Sequence, residues 1–119
     1  AEKAGMRKIA EQHPPKEALE VAELLSHLGF NVRLLCSGKY VLGKLRSLSS
    51  QQINAIREAF IRYAHPRFMK SFSGKMPFGG KEAYAEAVRK ASLERLTHLI
   101  KVCGFLMQTK VYLFWQKQD

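Results

Sequence analysis

Apolar residues recur along this chain with a period that changes several times. Between positions 15 and 28, Ala18, Val21, Ala22, Leu25 and Leu28 fall three or four apart, with Glu17, Glu20 and Glu23 between them. This is one face of a helix, with acids in the half where the macrodipole favours them. His13-Pro14-Pro15 marks its start, because a residue before proline is steered out of helical geometry and proline suits a first helical turn. Gly29 supplies a left-handed stop, and Phe30 is placed to fold back onto the last turn. Ahead of it, positions 4–12 carry Met6, Ile9 and Ala10 on one side and predict a loosely attached N-terminal helix.

From 31 to 45 the pattern shifts. Val32, Leu34, Leu35, Tyr40, Val41 and Leu42 flank Ser37-Gly38, which predicts a β-hairpin with strands at 32–36 and 39–44. Leu48-Ser49-Ser50-Gln51-Gln52-Ile53 then gives the sharpest local signal. Ser49 and Gln52 have the spacing of a capping box, and Leu48 and Ile53 that of a hydrophobic staple. The helix they open runs to about 64, burying Ile53, Ile56, Phe60 and Tyr63, and His65-Pro66 stops it. Gly74, Pro77, Gly79 and Gly80 mark 67–80 as a loop. A long helix is expected over 81–103, with Tyr84, Val88, Ala91, Leu96, Leu99 and Ile100 facing the core and Gly104 ending it. Residues 105–115, rich in aromatic and β-branched side chains, read as a final strand. A helix, glycine, phenylalanine and strand thus occur in that order twice. The expected fold is α+β, one domain over 1–119, with three or four helices on a small antiparallel sheet made of the 32–44 hairpin and the 105–115 strand.

Composition changes the picture through charge. The 119 residues carry 20 Lys and Arg against 10 Asp and Glu, a net +10. Residues 1–30 are net −1, residues 31–81 net +9 and residues 82–119 net +2. Concentration in the middle third creates a directed field and points to an anionic partner. The candidate contact residues are Arg33, Lys39, Lys44, Arg46, Arg57, Arg62, Arg67, Lys70, Lys75 and Lys81. Within 62–81, Phe68, Phe72 and Phe78 are interleaved with the cations. That combination suits a nucleic acid: cations meet phosphates, and aromatic faces stack on unpaired bases. RNA or single-stranded DNA is expected over duplex DNA for this reason.

Other chemistries find little support. The only Asp is Asp119, so the clustered carboxylates of a two-metal nuclease are missing. Gly74 to Lys81 comes near a phosphate-binding P-loop, but Gly80 stands where that motif needs lysine. His13, His27, His65 and His98 show no zinc-ligand spacing. No metal, cofactor or catalytic residue is expected. Zinc-finger spacing, the RNP1 string and the GXXG loop of KH domains are all absent. Cys36 and Cys103 are too few for a disulfide framework and suit a reduced, intracellular protein. No apolar run reaches membrane-spanning length. The function expected is non-catalytic nucleic-acid binding. A second reading is an assembly or adaptor protein, whose basic face meets an acidic partner or an anionic membrane and whose apolar C-terminal strand mediates oligomerisation.

Overall fold

A computed structural model describes residues 14–73 and 79–108. The N-terminal helix expected over 4–12, the side chains of Lys75 and Phe78, and the strand residues from 109 onward lie outside these. Six α-helices make up the described chain: α1 (Lys16–His27), α2 (Gly38–Arg46), α3 (Ser50–Arg62), α4 (Pro66–Ser73), α5 (Lys81–Arg89) and α6 (Leu93–Met107), with a short 3-10 turn at Val32–Leu34. The described residues contain no strand, so the expected α+β fold is corrected to an all-helical one.

Helix α6 is the centre of the molecule. It packs on α1, α2, α4 and the 3-10 turn, while α3 packs on α1 and α5. Leu96, Leu99, Ile100, Cys103, Leu106 and Met107 are all buried, a wider apolar face than a surface helix shows. The one buried polar residue among those described, Thr97, donates its hydroxyl hydrogen to the Leu93 carbonyl at 2.8 Å.

The local signals at α1 and α3 form as their residues dictate. Gly29 has φ of 95°, its N–H donates to the Ser26 carbonyl, and the Phe30 N–H reaches the Leu25 carbonyl at 3.0 Å. This is a Schellman ending, and it carries Phe30 into the core. At α3 the Ser49 hydroxyl accepts the Gln52 N–H at 3.2 Å, and Gln52 Oε1 accepts the Ser49 N–H at 2.9 Å. Each side chain satisfies a backbone donor that the helix start leaves without a partner.

Four corrections share one cause, a turn residue that serves a helix. Ser37 is the N-cap of α2, its hydroxyl accepting the Tyr40 N–H at 3.3 Å, so the hairpin at 32–44 is a 3-10 turn followed by a helix. Val41 and Leu45, four apart, are both fully buried. Pro66 is the first residue of α4, which occupies the start of the expected loop at 67–80. The 81–103 helix is two helices, because Ser92 caps α6 through the Arg95 N–H at 3.2 Å. Gly104 lies inside α6 and Phe105 continues it, so the repeated helix, glycine, phenylalanine and strand order does not hold and residues 105–107 are helical. A Cβ built at Gly104 would meet Leu35 Cβ at 2.8 Å and the Leu35 carbonyl carbon at 2.9 Å. Glycine is there because α6 and the segment after the 3-10 turn touch backbone to backbone.

Candidate nucleic-acid interface

Lys75 and Phe78 lie outside the described residues, and the other predicted contact residues divide into three groups. Phe68 and Phe72 are core. Phe68 is fully buried with its ring edge-on to Phe60 at 5.2 Å. Phe72 is 5% exposed, edge-on to Tyr84 at 6.1 Å. Neither ring presents a face to a base, so their assignment as stacking residues is corrected. On α4 the side chains three and four apart on the apolar face, Phe68, Met69 and Phe72, all point at α6 and its neighbours.

Arg57 and Lys44 are anchored. Arg57 Nη2 donates to the Ala91 carbonyl at 2.6 Å and Nη1 to Asn54 Oδ1 at 2.9 Å. This ties α3 to the break between α5 and α6 and holds the guanidinium against the protein, with Nε buried and without a partner among the described residues. Lys44 is half-buried, with Nζ 3.0 Å from where a Cβ on Gly29 would stand. Its charge therefore rests beside the C-terminal end of α1, which the macrodipole favours.

The remaining cations face water. Arg33 is exposed on the 3-10 turn, Lys39 and Arg46 are exposed seven residues apart on α2, and Arg67 and Lys70 are exposed three apart on α4. Arg62 closes α3 and Lys81 opens α5, both exposed. The ion pairs among the described residues are His27–Glu23, Arg89–Glu58 and Lys90–Glu86, and none of these seven cations takes part. Three acids, Glu20, Glu23 and Glu58, line a groove of about 470 Å³ between α1 and α3, which Arg62 also borders.

Two sets of residues escape a count by thirds of the chain. Arg95 and His98 hold the end of α4 onto α6. Arg95 Nη1 donates to the Phe72 carbonyl at 3.0 Å, with its guanidinium 4.7 Å from the Phe72 ring centre, and His98 Nε2 lies 2.8 Å from the Ser71 carbonyl. They satisfy carbonyls that the last turn of α4 leaves open. Lys16, placed in the acidic first third of the sequence, shares a cleft with Arg62 and Lys81. The i, i+3 spacing of Arg95 and His98 was a readable signal; the meeting of Lys16 with Arg62 and Lys81 depends on tertiary packing alone.

The thiols are poorly suited to nucleophilic work. Burial pushes the Cys103 thiol up to about 12 and raises that of Cys36, with Lys101 opposing the rise at Cys36. Cys103 Sγ sits 3.5 Å from the Ala18 carbonyl, to which it donates. The described residues contain no group of three or more His, Cys, Asp or Glu placed to hold a metal ion. They also contain no helix long and apolar enough to cross a membrane.

No family model, curated protein or solved structure matches this chain.

Proposed function

We propose that the protein binds nucleic acid through its phosphates and performs no chemistry on it. The observation that supports this is the set of exposed cations with no acidic partner among the described residues: Arg33, Lys39, Arg46, Arg62, Arg67, Lys70 and Lys81. Holding that many like charges on a small surface destabilises the fold through self-repulsion. A polyanion relieves the repulsion and releases its own counterions on binding. With Phe68 and Phe72 in the core, the reading rests on phosphate contact rather than on base stacking by those two rings.

The experiment is a comparison of polyanions on the full chain: homopolymer RNA, single-stranded DNA, duplex DNA of the same length, and phosphatidylserine vesicles. Nucleic acids should bind with Kd of about 1–100 µM at physiological salt, the range of contacts that carry no sequence information. Binding to vesicles with no binding to any nucleic acid would overturn the reading in favour of an anionic-surface adaptor.

A further inference from the structure

Three helix ends meet at one place on the surface. Lys16 opens α1, Arg62 closes α3 and Lys81 opens α5, and together with Glu17, Tyr63 and Ala64 they line a cleft of about 260 Å³. None of the three cations forms an ion pair with a described residue. Glu17 offsets one charge, which leaves the lining two positive charges in excess. Neither α1 nor α5 has a side-chain cap, so the N–H groups of both first turns add donors at this end of the molecule, offset in part by the last-turn carbonyls of α3. Among the described residues of the lining, Tyr63 brings the only hydroxyl.

We propose that this cleft seats the terminal phosphate of a nucleic-acid strand. The inference rests on the nucleic-acid reading above and names the part of the strand taken here. An internal phosphodiester carries one charge, and its chain must enter and leave. A terminal monoester carries about −1.5 to −2 at neutral pH, matching the excess of two, and needs a single way in. The cations on α2 and α4 differ in placement: Lys39 with Arg46, and Arg67 with Lys70, each stand on one helix and suit a backbone passing by, whereas Lys16, Arg62 and Lys81 come from three helix ends that share a cleft.

The test uses the full chain and one short single strand, prepared with a terminal phosphate and with a terminal hydroxyl, read by fluorescence anisotropy. The phosphorylated strand should bind about ten-fold more tightly, the effect of one added charge-assisted contact. The advantage should grow as pH rises through about 6, where the monoester takes its second charge. Arg62→Gln and Lys81→Gln should each bring the ratio of affinities towards one. Lys39→Gln should weaken both strands and keep the ratio. On the unaltered protein, a nucleoside monophosphate should compete with the phosphorylated strand and the parent nucleoside should not, a result that needs no variant to fold. Equal affinity for both strands overturns this inference and leaves the general reading standing. A ratio that survives in both cleft variants overturns the assignment to this cleft. Failure of both strands to bind overturns the general reading and this inference together.

Discussion

Replacing Phe72 by alanine separates a core aromatic from a stacking one. The ring is 5% exposed, meets Tyr84 edge-on at 6.1 Å, and lies under the Arg95 guanidinium at 4.7 Å. Removing it leaves a cavity between α4, α5 and α6. Phe→Ala substitutions in cores cost about 3–5 kcal/mol, from lost transfer free energy and the cavity left behind. For a chain of this length, unfolding entropy is of the order of 250 cal/mol/K, so each kcal/mol lowers Tm by roughly 4 °C and the expected fall is about 12–20 °C. Phe72→Leu keeps most of the volume and should cost less than about 1.5 kcal/mol. Thermal melts followed by circular dichroism give the first readout, and RNA affinity measured well below both midpoints gives the second. The core assignment predicts a large stability loss with affinity for single strands within about two-fold of the parent, a change of ~0.4 kcal/mol. A Phe72→Ala protein that melts within about 2 °C of the parent but loses single-strand affinity would refute it, since a core deletion of this size cannot be silent.

Three further outcomes follow from the same packing. Arg57→Ala should lower stability by roughly 1.5–3 kcal/mol through the lost bond to the Ala91 carbonyl, yet leave the salt dependence of nucleic-acid binding unchanged; a flatter salt dependence would return Arg57 to the interface. Gly104→Ala should destabilise by about 1–3 kcal/mol in chemical denaturation, because the new methyl meets Leu35 at 2.8 Å; a neutral or stabilising result would show that α6 and Leu35 separate freely. In alkaline solution, the Cys103 thiol ionises near 9 when exposed and at about 12 when buried, so its contribution to stability is complete below pH 9 and falls as pH rises from about 9 to about 12. Tyr84 is shifted in the same direction by burial. Denaturation midpoints that stay level across that window would contradict the burial of both groups.

Much of α1 and α3 could be read from residues alone, because their ends are fixed by neighbours in sequence. A Schellman ending needs only Gly29 and Phe30, and a capping box only Ser49 and Gln52. Serine and proline elsewhere were ambiguous in the same way. Ser37 before Gly38 fits both a hairpin turn and a helix cap, and Pro66 both ends one helix and begins the next. What decides between them is burial of Val41, Leu45, Phe68 and Phe72 against helices distant in sequence, which no short window contains. The same limit applies to the interface. The charge excess was legible in the composition. Which cations are occupied was not: Arg57 is bonded to a carbonyl 34 positions away, while Lys16 joins Arg62 from the other end of the described chain.

The central claim is that exposed cations without acidic partners bind phosphates, and salt dependence tests it most directly. Affinity of the full chain for a single-stranded RNA should be measured across a salt series. If roughly 4–7 phosphates are neutralised, log affinity should fall linearly with log salt, with a slope of about −3 to −5 for a single strand, and Lys39→Gln should reduce its magnitude by about 0.7. Affinity that does not change with salt, or a slope that Lys39→Gln, Arg46→Gln and Lys70→Gln all leave as it was, would contradict the account.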